Sequence, residues 1–257
     1  MSGRGDGASP ADVPATYADY ASDREDPRFT DWLRAQSGDA WDDATAHEFV
    51  RELHDDTLDD AVFRRYLLQD YAFVETLVGV FGYAVGDAPT MDAKARLVDF
   101  LATVTSDEDD YFRRSFEALA VPEPRYEDPT LTASTAAFRD LLLRAAREGD
   151  YAETLAVLVP AEWVYLTWAT DDGLATADGP DRFYLREWIE LHAVPEFEAF
   201  VSWLRTELDR EGAAASERRQ AGLAELFCRT VDLEAAFFDA AYEGNHSPET
   251  PGTGGDR

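Results

Sequence analysis

Three carboxylates interrupt the apolar faces of segments that have helical periodicity. Asp70, Glu162 and Glu234 each occupy a position where the spacing of three to four residues calls for an apolar side chain. A carboxylate on such a face points inward, and its burial is costly unless it is paired, hydrogen-bonded or protonated. These residues therefore need polar partners or a ligand. Because the chain contains 53 acidic residues, the alternative is that some fall on an apolar face by chance or cap a neighbouring helix.

Aromatic residues accompany these carboxylates. Phe73 follows Asp70 in one segment, and Phe237 follows Glu234 in another. A cavity with carboxylates and flat aromatic walls suits a nitrogen heterocycle, because the acid accepts hydrogen bonds from ring and amino N–H groups while aromatic rings stack on its faces. An aminopyrimidine has both features. Aromatic side chains also fill ordinary hydrophobic cores, so the pattern alone does not decide between a core and a binding site.

Other catalytic chemistry has less support in the sequence. The four histidines do not form the two ExxH motifs that helical di-iron sites use; they are His47, His54, His192 and His246. Neither a glycine-rich phosphate loop nor a GxSxG motif occurs. The single cysteine, Cys228, cannot form an internal disulfide, and its apolar surroundings favour a structural thiol in a reducing compartment. We therefore expect no metal and no cofactor, and neither nucleotide binding nor serine hydrolysis.

Acidic residues are spread along the whole chain and give it a large negative charge. Against 53 Asp and Glu stand 23 Lys and Arg, for a net charge of −30, and Lys94 is the one lysine. Such a surface repels phosphate backbones and anionic lipids, so we expect neither nucleic-acid nor membrane partners. It is typical of a protein kept soluble in a salty cytoplasm, such as that of a haloarchaeon. The absence of a signal peptide and of long apolar runs also predicts a cytoplasmic protein.

The periodicity predicts an all-α fold, a single helical bundle. Of the 257 residues 45% are hydrophobic, which is enough to fill one large core, and neither alternating strands nor an internal repeat occurs. Residues 1–26 and 244–257 are rich in small and polar residues and are predicted to be disordered tails, which leaves 27–243 as the helical domain. The predicted helices lie near 28–36, 44–55, 59–85, 91–119, 133–148, 151–175, 181–210 and 215–243.

The same segments resemble the TenA family, which includes thiaminase II and aminopyrimidine hydrolases of thiamin salvage and has the heme-oxygenase-like helical fold. The resemblance is carried by FRRYLLQDYAFVETLVGVFGYA (63–84), GDYAETLAVLVPAEWVYLTWA (149–169) and LEAAFFDAAY (233–242), with weaker support from FRDLL (138–142) and REWIELHAVPEF (186–197). It implies a small-molecule aminopyrimidine ligand, no cofactor and a homo-oligomer, commonly a tetramer.

The resemblance also implies roles for individual residues. Asp70 falls on the aspartate that holds the aminopyrimidine ring, and Glu234 falls on the catalytic glutamate of the last helix. Phe73 stands where thiaminases carry tyrosine. The substrate-binding residues implied in this way are Phe73, Phe138, Tyr165, His192 and Phe237, of which Phe138 and His192 also replace tyrosines.

One departure from the family pattern concerns the nucleophile. The cysteine of the family follows the proline of VPAEWVY, and here that position is Ala161, while Cys228 lies on another segment. Alanine cannot add to a pyrimidine ring, which favours the branch of the family that lacks the cysteine and relies on carboxylates. The sequence therefore predicts a carboxylate-dependent hydrolase of amino- or formylamino-pyrimidines, with Asp70 orienting the ring, Glu234 as general acid/base and Glu162 as a helper. We expect these three carboxylates to converge on one cavity lined by Phe73, Phe138 and Phe237.

Two other hypotheses remain beside this one. The first is a non-catalytic pyrimidine-binding or regulatory homologue that kept the cavity and lost the chemistry, although the net charge of −30 argues against direct contact with DNA. The second is an oxidoreductase that uses heme or di-iron, for which the histidine ligands cannot be assembled from this sequence.

The acidic composition generates a prediction about salt. The melting temperature is expected to rise as KCl is increased from dilute buffer to molar concentration, because salt screens the repulsion among surface carboxylates. Differential scanning calorimetry across a KCl series measures this dependence. A melting temperature that stays constant across the series would rule out the halophilic interpretation.

Overall fold

The computed structural model of the protein describes residues 13–174 and 179–243, which form thirteen α-helices and one π-helical turn and contain no β-strand. The π-helical turn, Val104–Glu108, lies between the sixth and seventh helices. The helices are α1 (Tyr17–Ser22), α2 (Phe29–Gln36), α3 (Asp39–Thr45), α4 (Glu48–His54), α5 (Asp60–Asp87), α6 (Met91–Thr103), α7 (Asp109–Ala118), α8 (Glu123–Glu127), α9 (Ala133–Glu148), α10 (Tyr151–Ala169), α11 (Phe183–Ala193), α12 (Pro195–Ala214) and α13 (Glu217–Tyr242).

Side-chain caps fix where the three long helices α5, α10 and α13 begin. Asp59 caps α5 by accepting a hydrogen bond from the backbone N–H of Ala61. Asp150 caps α10, and the side chain of Glu153 accepts in return from the backbone of Asp150, which completes a capping box. Ser216 caps α13 by accepting a hydrogen bond from the backbone N–H of Arg219. Each cap satisfies backbone donors that the first turn of a helix leaves free.

Helix α10 lies at the centre of the bundle. Its residues are buried on nearly every side, and it packs against α5, α9, α11, α12 and α13. Its mostly aliphatic sequence explains this position, because a helix that is apolar all round must be surrounded by other helices. Even so, neither α10 nor any other described helix is long and apolar enough to cross a membrane. Because α5 and α13 also pack against each other, the helices that carry Asp70, Glu162 and Glu234 meet in pairs.

The π-helical turn joins α6 and α7 without a break. The backbone stays in the right-handed helical region through Val104 and Asp109, the residues that flank the joins. A π-helical turn holds an extra residue compared with an α-helical turn, and it therefore rotates the side chains that follow relative to those that precede. Such turns occur frequently at functional sites.

The predicted all-helical fold is confirmed within the described residues, and 91–119 is helical throughout most of its length with a π-helical turn in the middle. Two other predicted segments, 44–55 and 181–210, are divided. The last is divided at Pro195, because proline has no backbone N–H to continue the helix and restricts the residue before it to an extended conformation. That preceding residue, Val194, is extended.

The predicted N-terminal tail contains a short helix, α1. The hydroxyl of Tyr17 donates a hydrogen bond to the carbonyl of Pro27 at 2.8 Å, and Tyr20 is buried. The prediction of disorder is therefore wrong for this part of the tail, and the folded domain begins earlier in the chain than expected. Residues 1–12 and 244–257, to which the rest of that prediction applies, lie outside the described residues.

Candidate active site

A cavity of about 720 Å³ opens between α5, α6, α10, α11 and α12, and the π-helical turn contributes to its wall. Its volume falls within the range of small-molecule sites, roughly 300–1,000 Å³. Apolar side chains provide most of the lining. The polar lining includes Asp70, Arg96, Glu108, Glu162, Tyr165 and His192.

Asp70 and Glu162 face this cavity without a basic partner. Their exposed fractions are 3% and 6%, and neither Oδ2 of Asp70 nor Oε1 of Glu162 has a hydrogen-bond partner among the described residues. Burial raises the pKa of both carboxyls well above the ordinary range, and the nearby charge of Glu108 raises it further. The Tyr66 hydroxyl acts in the opposite direction on the pKa of Asp70, but burial has the larger effect. Both carboxyls are therefore available to a ligand.

Tyr165 and His192 supply neutral polar groups to the cavity. The Tyr165 hydroxyl lies 2.8 Å from that of Tyr66. His192 Nδ1 lies 2.8 Å from the carbonyl oxygen of Trp188, and because that oxygen can only accept, Nδ1 carries the proton. Burial lowers the pKa of His192 to about 4, so the ring is neutral at pH 7 and its Nε2 is an acceptor. This histidine therefore cannot provide the hydroxyl donor of the tyrosine that it was predicted to replace.

Glu234 lies next to the cavity and not on its wall. Its exposed fraction is 1%, and its Oε1 has no hydrogen-bond partner among the described residues. Burial raises the pKa of Glu234 well above the ordinary range, and the charges of Asp70 and Glu162 add to the effect. The prediction that all three carboxylates line one cavity is therefore wrong for Glu234. The reason is that α13 packs behind α5 and α10 and contributes no residue to the lining.

The aromatic walls also differ from the prediction. Phe73 lines the cavity, whereas Phe138 and Phe237 do not. These two rings pack against Phe73, with ring centroids 4.6 Å and 5.9 Å away, so Phe73 covers them. The aromatic residues that the sequence analysis missed belong to α6, α11 and α12, where their spacing is that of an ordinary core stripe. They are Phe100, Trp188, Phe197 and Phe200.

Residues 34–244 match the model of the TENA/THI-4/PQQC family. The chain belongs to this family. It is 28% identical over 206 residues to an aminopyrimidine aminohydrolase of Halalkalibacterium halodurans, covering 79% of this chain and 90% of the relative. It is 24% identical over 212 residues to an aminopyrimidine aminohydrolase of Helicobacter pylori, covering 82% of this chain and 97% of the relative.

A solved structure supports the same family fold. The TenA homologue of P. horikoshii OT3 superimposes with a TM-score of 0.74 at 26% identity, covering 84% of this chain and 99% of that one. The protein therefore has the all-helical, heme-oxygenase-like fold of TenA proteins.

This TENA/THI-4/PQQC family member has no thiol in its cavity. Ala161, next to Glu162 on α10, lines the cavity wall. Cys228 is the chain's one cysteine, and it lies on α13 with its Sγ 3.6 Å from the Ser37 hydroxyl, away from the lining residues. Any nucleophile for the ring must therefore be a group other than a thiol, such as a carboxylate, a water molecule, the Tyr165 hydroxyl or the neutral His192.

Glu108 is a cavity residue that the sequence analysis missed. It lies on the π-helical turn of this TenA family member and is partly buried. Burial raises the pKa of Glu108 to about 7. In the sequence it belongs to a run of four acids, 107–110, which looks like a solvated surface. Only the unusual helical register could have indicated that one of the four points inward.

Acidic side chains dominate the polar lining. Asp99, Asp107 and Glu196 join the carboxylates already described, and Arg96 is the one basic side chain among the described lining residues. Within the part of the chain that the structure describes, no group of three or more His, Cys, Asp or Glu side chains is arranged to hold a metal ion. The cavity therefore favours ligands that donate hydrogen bonds or carry positive charge.

The raised pKa of Glu162 generates a prediction about pH. Glu162→Gln is expected to raise the free energy of unfolding at pH 8 and to change it less at pH 5. A buried carboxyl whose pKa is raised stabilises the fold fully below its pKa in the unfolded chain, and this contribution is lost as the pH rises through the folded-state pKa. Glutamine has no proton to lose. Urea unfolding at the two pH values measures the difference.

Glu225→Gln on α13 is the matched control, because Glu225 is exposed. It should change the free energy of unfolding by no more than about 0.5 kcal/mol at either pH. A Glu162→Gln variant that is destabilised equally at both pH values would contradict the protonation argument.

Proposed function

We propose that this chain is a C–N hydrolase that removes an amino or formylamino group from a thiamin-derived aminopyrimidine, and that it uses carboxylates instead of a thiol nucleophile. The observation that carries the proposal is the pair of buried carboxylates without partners, Asp70 and Glu162, in an aromatic cavity without a thiol. The two bacterial relatives named as aminopyrimidine aminohydrolases support the same substrate class.

The cavity supplies both contacts that an aminopyrimidine ring requires. Phe73 and Trp188 offer flat apolar faces against which the ring can stack. The free Oδ2 of Asp70 accepts from a ring or amino N–H of the ligand, and such a donor favours the ionised form of this carboxyl. The acceptor Nε2 of His192 suits a further N–H or O–H group. The ring is thus oriented by acceptors on the protein and donors on the ligand.

The reaction requires one water molecule and one proton transfer. The water oxygen forms the new C–O bond, the C–N bond breaks, and one water proton passes to the released nitrogen. We assign this transfer to Glu162, because it is the carboxyl beside Ala161 on the cavity wall, and burial raises its pKa, which favours the protonated form that can return a proton. No covalent intermediate with the protein is needed.

Glu234 has a supporting role in this scheme. Its carboxyl is close enough to Asp70 and Glu162 for their charges to raise its pKa, yet it does not line the cavity. When Asp70 ionises on binding the ring, a proton held on Glu234 keeps that carboxyl neutral. Glu162 is then close to one negative charge and not to two. We therefore propose that Glu234 supports general acid/base catalysis by exchanging protons with the two carboxyls on the wall, while Glu162 carries out the transfer to the substrate.

Substitutions of Glu234 and Asp70 distinguish an effect on turnover from an effect on ligand binding. Glu234→Gln is expected to lower kcat by roughly a hundredfold or more while leaving ligand affinity intact, because general acid/base catalysis contributes on that order. Asp70→Asn is expected mainly to weaken binding, by about tenfold or more, because it removes a charged acceptor. Ammonia release and calorimetric titration of the same aminopyrimidine measure the two effects.

Glu225→Gln on α13 serves here as the control for charge removal, and it should retain the activity of the unmodified protein. Full activity in the Glu234→Gln variant would contradict the role assigned to Glu234. Tight aminopyrimidine binding without any turnover by the unmodified protein would favour the non-catalytic alternative.

Thiamin itself is expected not to be cleaved. Expelling the thiazole group requires a nucleophile that adds to the pyrimidine ring, and Ala161 offers no atom that can do so. Chromatography of thiamin incubated with the protein checks this result, and aminopyrimidine hydrolysis by the same preparation shows that the protein is active. Brisk cleavage of thiamin would mean that another group acts as the nucleophile.

A further inference from the structure

Tyr66 is a buried tyrosine that does not line the cavity. It lies on α5 one helical turn before Asp70, so both side chains are on the same face of the helix, and its exposed fraction is 1%. Aromatic rings of α4 and α13 surround it. The ring centroids of Phe49, Phe237 and Phe238 lie 4.5, 5.7 and 5.9 Å from that of Tyr66. Any effect of Tyr66 on a ligand must therefore pass through another residue.

The hydroxyl of Tyr66 has one proton and two neighbours. It lies 2.8 Å from the Tyr165 hydroxyl, so one of the two hydroxyls donates to the other. It also acts as a hydrogen-bond donor towards Asp70 and thereby lowers the pKa of that carboxyl. Because a hydroxyl carries a single proton, a Tyr66 that donates to Asp70 must accept from Tyr165. The chain of donors then runs from Tyr165 to Tyr66 and from Tyr66 to Asp70.

Asp70 has no other side-chain donor among the described residues that favours its ionised form. Acidic and phenolic groups surround it instead, and negative charge on any of them disfavours a further negative charge. His192 in the cavity is neutral, because burial lowers its pKa to about 4. The other titratable groups of this region are Glu108 on the π-helical turn, Tyr111 on α7, Glu162 and Tyr165 on α10 and Glu234 on α13.

The arginines of the remaining helices around α5 are directed elsewhere. Arg96 on α6 and Arg125 on α8 are exposed. Arg139 on α9 donates to the Thr76 hydroxyl at 2.6 Å, further along α5. The ionised form of Asp70 therefore depends on an uncharged donor, the Tyr66 hydroxyl.

We propose that Tyr66 is a positioning residue whose hydroxyl donates to the Asp70 carboxylate and favours the ionised form that accepts from the ligand, while the Tyr165 hydroxyl fixes Tyr66 in this orientation. This role rests on the proposed hydrolase function, in which Asp70 accepts from a ring or amino N–H. The free Oδ2 of Asp70 stays available for that contact. A tyrosine stabilises the carboxylate without adding a positive charge, so the cavity still favours ligands that donate hydrogen bonds.

The first experiment follows the protonation of Asp70 without a ligand. The infrared C=O band of protonated aspartate moves when Cγ is labelled with ¹³C, which separates aspartates from glutamates, and the labelled signal that is absent from Asp70→Asn belongs to Asp70. Tyr66→Phe keeps the ring and removes the donor to the ionised form. The midpoint of the Asp70 signal in a pH titration is therefore expected to rise by about one to two pH units, as for loss of a hydrogen bond to a charged group.

Two further variants test the assignment. Tyr151→Phe is the matched control, because Tyr151 is also buried and donates to a carboxylate, Glu207, at 3.1 Å, but does not line the cavity. It should move the Asp70 midpoint by no more than about 0.3 pH units. Tyr165→Phe leaves the Tyr66 donor in place but removes the group that fixes it, so the midpoint should rise by less than in Tyr66→Phe. Circular dichroism establishes that each variant is folded.

The second experiment measures the consequence for a ligand. Calorimetric titration with 4-aminopyrimidine should show binding that is weaker in Tyr66→Phe by about tenfold or more below the midpoint of the unmodified protein, and equal above the midpoint of the variant. A purely structural defect would weaken binding equally at every pH. In an Asp70→Asn background, Tyr66→Phe should change the affinity by no more than about twofold, because the carboxyl on which it acts is absent.

An Asp70 midpoint that is unchanged or lower in Tyr66→Phe would overturn the assignment, and so would an equal rise in Tyr151→Phe. If Tyr66→Phe does not fold, Tyr165→Phe decides, and an unchanged midpoint in that variant would overturn the assignment. Failure of the proposed hydrolase function is a separate outcome. It appears as absent 4-aminopyrimidine binding or absent ammonia release, while the infrared midpoint of Asp70 still depends on Tyr66.

Discussion

The burial of several carboxyls together, without a basic group among them, is the constraint on which this structure depends. Asp70, Glu162 and Glu234 each lose most of their hydration. The charge of Asp70 raises the pKa of Glu162, and the charges of Asp70 and Glu162 raise the pKa of Glu234. At low effective dielectric, two ionised carboxylates at close range repel each other strongly. The folded protein must therefore hold protons on this cluster, or receive hydrogen-bond donors or positive charge from a ligand.

The packing around the carboxyl cluster keeps a nearby arginine side chain outside it. Arg205, on α12, stacks on the ring of Trp163 at 3.6 Å and donates to Asp31 at 2.7 Å. Trp163 directly follows Glu162 on α10, so this arginine approaches the same helix from another face. Inside, the hydroxyls of Tyr66 and Tyr165 are the neighbours of the carboxyls. A cluster that is unfavourable in isolation is thus maintained by the large apolar surface that the surrounding helices bury.

Helical periodicity identified the three acids and much of the all-helical fold from sequence, because it assigns residues to inward and outward faces. Periodicity could not show which of the inward side chains reach the cavity wall. Asp70 and Glu234 occupy equivalent inward positions, yet only Asp70 reaches the cavity wall, since the docking of α13 behind α5 and α10 is a tertiary property. Glu108 was missed for a different reason. A π-helical turn departs from the 3.6-residue period, so a pattern based on that period cannot place the residue.

The π-helical turn also affects how such a cavity can diversify. It contains one residue more than an α-helical turn, and each residue of an α-helix accounts for about 100° of rotation. Loss or gain of a single codon in the stretch that encodes 104–108 would turn a different side chain towards the cavity while α6 and α7 keep their own packing. In this part of the molecule, insertions and deletions are thus a route to new ligand preferences, alongside the substitutions that act elsewhere on the wall.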